Sequence, residues 1–303
     1  MKDQTASEQI APVNGIELAY QTFGERSEPA LLLVMGLGAQ LIHWPEEFCE
    51  RLAGRGFFVV RFDNRDVGHS TKMDDAPAPN LLALAVGDAS AATYTLDDMA
   101  DDVIGLLDHL ELDTAHVAGA SMGGMIAQTL AIRHPQRVLS VCSIMSTTGD
   151  PEVGQARPEA LAVLTAHAPS DRDSYIEFYV NAFKAIGSPG FALDEEFLRW
   201  RAAATYDRSY YPDGFSRQLA AIIASGDRTQ ALAQVSVPTV VIHGADDPLI
   251  TVSGGEATAQ AIPGAELVVI PGMGHDLPPG VWDRIIDAIT ANAERAHAGA
   301  KIA

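Results

Sequence analysis

Residues 115–135 read AHVAGASMGGMIAQTLAIRHP. The run Ala115–Ala118 is apolar and β-prone, and it meets Gly119-Ala120-Ser121-Met122-Gly123-Gly124. Beyond the glycines, Met125, Ile126, Thr129, Leu130 and Ile132 recur near a 3.6-residue spacing, which predicts a helix. Strand, tight glycine-flanked turn, helix is the setting in which G-x-S-x-G presents a reactive serine. Glycines are needed because the sharp turn strains its central residue and brings backbone close on both sides. Such a turn lifts the Ser121 hydroxyl clear of a sheet. It also sets the free N–H groups of a helix N-terminus beneath it, where an anion would be stabilised. An ordinary structural serine in a small-residue turn is the alternative, so partners for Ser121 decide the matter.

Upstream, Val13-Asn14-Gly15-Ile16 carries the Asn-Gly hairpin signal, and Ile16–Phe23 alternates as a half-exposed antiparallel strand does. Residues 1–9 read as a polar tail. Ala30–Met35 is continuously apolar, as in a strand buried on both faces. Gly36-Leu37-Gly38-Ala39 follows at once. Its glycines let backbone N–H groups approach a ligand, so the Leu37 N–H becomes one candidate oxyanion donor; a plain βα turn is the other reading. A helix is expected over Trp44–Gly54 and a buried strand over Phe57–Phe62. The polar turn Asp63–Ser70 comes next, in which Asp63 and Arg65 read as a structural network and His69 as a loop histidine. Residues 74–92 read as a surface loop. Thr95-Leu96-Asp97-Asp98 opens a helix reaching Leu110, and Val138–Met145 is a further strand.

Downstream the α/β alternation stops. From about Thr148 to Gln234 the pattern is mostly helical, so the expected division is a core of residues 1–147 and 236–303 with a helical cap over 148–235. The chain has 10 Phe, 7 Tyr and 3 Trp, 20 aromatics in all, and 11 of them fall between Tyr175 and Phe215. Most are expected to pack this segment onto the core, with a few lining an apolar pocket over Ser121. Val237–His243 resumes the buried-strand pattern and ends at Gly244-Ala245-Asp246-Asp247-Pro248. A helix near 251–262, a strand at Glu266–Ile270, the turn Pro271-Gly272-Met273-Gly274-His275 and a helix from Pro279 to about 297 complete the chain.

A serine hydroxyl cannot attack an ester unaided. It needs a base to take its proton and an acid to orient that base. Ser121, Asp247 and His275 each follow a strand, and parallel βαβ units bring such ends to one edge of the sheet. Of the nine histidines, only His69 and His275 lie in loops after strands, and only His275 sits in a glycine-rich turn. Asp247 competes with Asp246 and Asp150. Pro248, which turns the chain away from the sheet, favours Asp247. Asp276 reads as a solvated neighbour of His275. The Leu37 and Met122 N–H groups are the expected oxyanion donors.

The totals exclude other classes. A net charge of −20, from 20 basic and 40 acidic residues, argues against nucleic acid and anionic lipid as partners. Two cysteines, Cys49 and Cys142, make no disulfide framework and suit a reducing compartment. No apolar run approaches the length of a membrane span, and the N-terminal stretch lacks the apolar centre of a signal peptide. A cytoplasmic location is expected. No H-E-x-x-H or clustered ligand set suggests a metal, and the G-x-G at Leu37 lacks the third glycine of a dinucleotide site. No cofactor is expected.

Together LLLVMGLGAQLIHWPEEF (31–48), VVRFDNRDVGHST (59–71), VAGASMGGMIAQ (117–128), PTVVIHGADDPL (238–249) and IPGMGHDLP (270–278) resemble the α/β-hydrolase superfamily. The resemblance covers nearly the whole chain. Within the superfamily they are most similar to a bacterial group of ester hydrolases that includes aclacinomycin methylesterase. The resemblance implies an α/β-hydrolase fold: an eight-stranded, mostly parallel sheet flanked by helices, with a helical cap inserted after strand 6. It also implies Ser121 as nucleophile, Asp247 as acid and His275 as base. One departure is Met35-Gly36, where many members carry His-Gly; it weakens the analogy to C–C hydrolases and epoxide hydrolases. A Ser rather than Asp nucleophile also argues against epoxide hydrolases and haloalkane dehalogenases.

The expected function is a serine carboxylesterase that forms an acyl-enzyme on Ser121. A lactonase, a cofactor-free perhydrolase using the same residues, and a non-catalytic ligand-binding protein of the same fold are the alternatives. The expected partner is a small-molecule ester, and the expected state a monomer or homodimer. Since His275 must be neutral to accept a proton, activity is expected to fall on the acid side.

Overall fold

The computed structural model describes residues 7–300. Residues 1–6 of the expected polar tail (1–9) therefore lie outside the described residues, and Gln9 already belongs to a strand. The described residues form eight strands: β1 (Gln9–Val13), β2 (Ile16–Phe23), β3 (Ala30–Val34), β4 (Phe58–Phe62), β5 (Ala115–Ala120), β6 (Val138–Ile144), β7 (Thr239–Gly244) and β8 (Glu266–Ile270). They form one sheet in the order β1-β2-β4-β3-β5-β6-β7-β8. The β1–β2 and β2–β4 pairs are antiparallel and the other five are parallel.

The β1–β2 hairpin turns at Asn14 (φ 49°) and Gly15 (φ 82°). Two consecutive positive φ angles define a type I′ turn, whose twist matches the strands and which Asn-Gly adopts with little strain.

The core helices are α1 (Glu46–Ala53), α2 (Leu81–Ala85), α3 (Leu96–His109) and α4 (Met122–Arg133). Between β6 and β7 the chain makes five helices: α5 (Pro158–Thr165), α6 (Arg172–Ile186), α7 (Glu195–Arg208), α8 (Pro212–Ser225) and α9 (Thr229–Leu232). The chain then adds α10 (Val252–Ala261) and α11 (Trp282–Ala300). The short α2 and a 3-10 turn at Ala89–Ala91 lie in the stretch 74–92 read as loop. Among the described residues no helix is long and apolar enough to cross a membrane.

Both faces of the sheet are covered, which is why its strands read as continuous apolar runs. Leu32 and Val34 point to one side, with Val103, Leu106 and Leu107 of α3 and Ile126 and Leu130 of α4. Leu31 and Leu33 point to the other, with Phe48 and Leu52 of α1 and Ile285, Ile286 and Ile289 of α11. Residues Met122–Ala131 of α4 are buried on every side, so the helix carries no polar stripe. The helices between β6 and β7 have a small apolar cluster of their own: Tyr179, Val180, Leu198 and Ala202.

Candidate active site

Ser121 stands between β5 and α4 with φ 57° and ψ −120°. A non-glycine residue in this region carries roughly 1–3 kcal/mol of strain, retained only where the surroundings fix it. Here they do. The Ser121 N–H donates to the Ile144 carbonyl at 2.9 Å, and its own carbonyl accepts the Gly124 N–H at 2.9 Å. A Cβ on Gly119 would collide with the Gly123 carbonyl, and one on Gly123 with the Val34 carbonyl. The two outer glycines of the motif thus exist for close backbone approach, as the motif's reading required.

His275 follows β8 and Asp247 follows β7. The His275 Nε2 is 3.0 Å from Ser121 Oγ, and its Nδ1 is 2.7 Å from Asp247 Oδ2. The other Asp247 oxygen accepts the N–H groups of Leu249 (2.8 Å) and Ile250 (2.9 Å). Asp247 is 1% exposed and His275 8%. An ionised Asp247 only accepts, so the proton of neutral His275 resides on Nδ1, and the Nε2 lone pair faces the Ser121 hydroxyl. The structure therefore brings Ser121, His275 and Asp247 into one hydrogen-bonded chain. Asp246 turns away to accept the Gly272 N–H at 2.8 Å, and Asp150 accepts the Glu152 N–H at 2.9 Å.

His243, which motif reading passed over, lies behind this acid. Its Nε2 donates to the Ile250 carbonyl at 2.8 Å and is 3.7 Å from Asp247 Oδ2. Burial holds its pKa below the ordinary histidine value. It packs beneath Asp247 as a neutral ring.

The turn after β3 abuts Ser121: a Cβ on Gly36 would lie 3.0 Å from Ser121 Cβ and 3.6 Å from its Oγ. The turn is anchored on both sides of Leu37. The Asn64 side-chain amide donates to the Met35 carbonyl at 2.9 Å, and the Gly38 N–H donates to Gln218 Oε1 at 2.8 Å. The Gln218 amide donates in turn to the Arg65 carbonyl at 2.8 Å. Among the described residues the Leu37 N–H has no protein acceptor, and Met122 is the first residue of α4, where an N–H has no intrahelical partner. The Gly36 end of that turn and the first residue of α4 both adjoin Ser121.

The helices between β6 and β7 reach the site from above. Phe215 of α8 sits against Gly38. The aromatics of α6 and α7 mostly pack on one another. Tyr175 touches Tyr179, Tyr206 and Tyr210, while Trp200 is 60% exposed on the outer face. Tyr179 hydrogen-bonds His43 Nε2 at 3.1 Å. Burial, aided by the charges of Arg201 and Arg208, pushes the His43 pKa well below its ordinary value.

Asp276 differs from its reading as a solvated neighbour. It is half-buried, accepts a hydrogen bond from the Ser188 hydroxyl, and burial raises its pKa above the ordinary carboxylate value. The reason is tertiary: the loop after α6 folds onto the turn that carries His275. Asp63 and Arg65 also work separately. Asp63 accepts the Leu41 N–H at 2.7 Å and pairs with Arg208 at 2.6 Å, whereas Arg65 pairs with Asp102 at 2.6 Å. His69 faces Glu8 and the Arg208 carbonyl, outside the site. Ser188, Gln218 and His243 were the residues missed. Gln218 lies 180 residues from one partner and 153 from the other, so nothing local marks it. His243 alone carried a signal, a polar ring at the end of an apolar strand.

The strand order, the strained Ser121 turn and the residues gathered around it are those of an α/β hydrolase. The chain belongs to the α/β-hydrolase fold family, whose sequence profile matches residues 29–278. It is 28% identical over 93% of its length to a rhodomycin D methylesterase, DauP, of Streptomyces sp. (strain C5), 96% of which is covered. It is 27% identical over 84% of its length to 3-oxoadipate enol-lactonase 2 of Acinetobacter baylyi, 85% of which is covered. Among solved structures it is similar to the enol-lactonase from Burkholderia xenovorans LB400, with a TM-score of 0.69 and 27% identity, covering 94% of this chain and 100% of that one.

Proposed function

We propose that this chain is a serine hydrolase of carboxylic esters. The observation that carries the reading is the chain of contacts from Ser121 Oγ to His275 Nε2 (3.0 Å) and from His275 Nδ1 to Asp247 (2.7 Å). Ser121 Oγ attacks the ester carbonyl while His275 Nε2 takes its proton. Asp247 holds the ring in the productive tautomer and stabilises the imidazolium. The tetrahedral oxyanion rests on the Leu37 and Met122 N–H groups. When it collapses, His275 gives its proton to the departing alkoxide and an acyl-enzyme remains on Ser121. Water then attacks the acyl carbon with His275 as base, and the acid leaves. No step calls for a cofactor or a metal.

In this reading residues 148–235 form the cap over the core of 1–147 and 236–303, and they close the site against water. Cys49 and Cys142 are free and buried, which accords with a reducing cytoplasm. The active unit is a monomer or homodimer.

The test is hydrolysis of p-nitrophenyl esters from acetate to palmitate by wild type and Ser121→Ala. A loss of turnover of roughly 10³-fold or more in the variant supports the reading. Equal rates in the two proteins defeat it. The enol-lactonase relatives favour a second reading, in which the ester is cyclic. Lactone ring-opening measured beside linear esters separates the two. Tight ligand binding without turnover would instead revive a non-catalytic binding protein, and peracid formation a perhydrolase.

A further inference from the structure

Arg199 and Arg201 lie two residues apart on α7 and meet different surroundings. Arg199, on the outer face, pairs with Glu177 and Glu195. Arg201 shares the inward face with the buried Leu198, Ala202 and Thr205. Its guanidinium is boxed by the rings of Phe183 (4.7 Å), Phe197 (5.3 Å) and Tyr179 (5.6 Å). Its Nε is buried with no hydrogen-bond partner. Among the described residues no carboxylate comes within ion-pair reach of it, in a chain with 40 acidic residues.

The position of Arg201 follows from its neighbours. One turn further along α7, the Thr205 hydroxyl is 3.3 Å from His43 Nε2, and the Thr205 carbonyl accepts from Gln40. Both partners lie just past the Leu37 turn. On the other side, the Phe183 ring packed on Arg201 lies one turn before Ile186, whose carbonyl accepts the His275 N–H. Arg201 thus lies between the segment that follows the Leu37 turn and the end of α6 that holds the His275 turn. Asp276 does not pair with it: its carboxyl is directed to the Ser188 hydroxyl. A half-buried guanidinium whose Nε is sealed from water without a partner is costly unless an anion completes it.

We propose that Arg201 anchors a carboxylate of the substrate, so that the ester or lactone this site accepts carries an anionic group beyond the scissile bond. The proposal rests on the ester-hydrolase reading above and names its substrate class. Aromatic walls suit the aliphatic span between the two ends, and a guanidinium suits a carboxylate through paired N–H donors. The excess of acidic residues repels anions at long range, but salt screens that field beyond about 10 Å.

The experiment compares monomethyl esters of dicarboxylic acids, from succinate to suberate, with methyl esters of monocarboxylic acids of equal length. Wild type, Arg201→Gln and Arg201→Lys are followed by pH-stat. The readout is the ratio of kcat/KM for anionic over neutral ester within each protein, so altered folding does not confound it. The ratio should exceed one in wild type at some chain length, fall about 10- to 100-fold in Arg201→Gln, and stay between the two in Arg201→Lys. A ratio unchanged in Arg201→Gln, or a wild type that favours neutral esters at every length, overturns the proposal. If neither ester class is turned over in a Ser121-dependent way, the ester-hydrolase reading has failed. Calorimetric binding of adipate then decides the subsite. Binding at least about 10-fold weaker in Arg201→Gln supports it; equal binding, or none in either protein, overturns it.

Discussion

The main-chain N–H of His275 donates to the carbonyl of Ile186 across 2.7 Å, joining the turn after β8 to the last residue of α6. The seam continues on both sides. The Gly274 N–H donates to Ser188 Oγ at 2.9 Å, the Ser188 hydroxyl to Asp276, and the Gly190 N–H to the Gly272 carbonyl at 2.9 Å. The histidine is thus held by the inserted helices as much as by the sheet.

Ser188 should therefore act as a positioning residue. In Ser188→Ala the Gly274 N–H and the Asp276 carboxyl both lose their partner, and the ring drifts from Ser121. A small displacement of a reacting group is expensive in rate, so kcat should fall about 10-fold with KM changed less than about 2-fold. Steady-state kinetics on one p-nitrophenyl ester check this. A change in KM alone would assign Ser188 to substrate binding.

Asp247→Asn should lower kcat by about 10⁴-fold while the protein stays folded. An amide nitrogen cannot accept from His275 Nδ1, so the ring is no longer held with its Nε2 lone pair toward Ser121. The two N–H groups of Leu249 and Ile250 fix which face the side chain presents. Rates within about 10-fold of wild type would remove Asp247 from the mechanism.

Gly123→Ala should cost about 3 kcal/mol, or prevent folding, because its methyl group meets the Val34 carbonyl in the sheet. Urea unfolding measures the loss. Gly264→Ala is the useful contrast. That glycine has φ +71° but open space around its Cβ, so only backbone strain, on the order of 1 kcal/mol, is expected there.

Stability should fall with acid through His116. Its ring is 1% exposed, its Nδ1 bonds the Ser140 hydroxyl at 2.8 Å, and its Nε2 is buried without a partner. Burial, with the nearby His297, lowers its pKa from 6.5 to about 4. Between those two values the unfolded chain binds a proton that the folded chain refuses, so stability is full above pH 6.5 and declines down to pH 4. The shift corresponds to about 3 kcal/mol at most. His43, half-buried and with its pKa lowered by desolvation and by the charges of Arg201 and Arg208, acts in the same direction. Urea midpoints at pH 7.5 and 5.0 should converge in His116→Leu relative to wild type. An equal acid loss in the two proteins would exclude His116 as a contributor.

The strands and most core helices were legible because their signals are local. Asn14-Gly15 sets a type I′ turn, Ala30–Val34 is apolar on both faces, and Gly119 and Gly123 permit one sharp turn. The site was legible in part for the same reason, since Ser121, Asp247 and His275 each occupy a strand's carboxyl end. Asp276 was misread because adjacency to a loop histidine suggests solvent, whereas a segment almost ninety residues earlier covers it (Ser188 to Asp276, |i−j| of 88). The pairing of Asp63 with Arg208 has the same origin.

By itself, then, the sequence determined the strand-turn-helix grammar, the apolar faces of the sheet and the residues able to carry ester chemistry. Those properties follow from backbone sterics and side-chain periodicity over a few residues. Only the tertiary structure decided which groups surround that chemistry: Gln218 on the Leu37 turn, Ser188 on the His275 turn, His243 beneath Asp247, and, further out, Arg201 among the rings of Tyr179, Phe183 and Phe197. Each depends on where distant helices land when apolar surface is buried, and no short window of sequence encodes that.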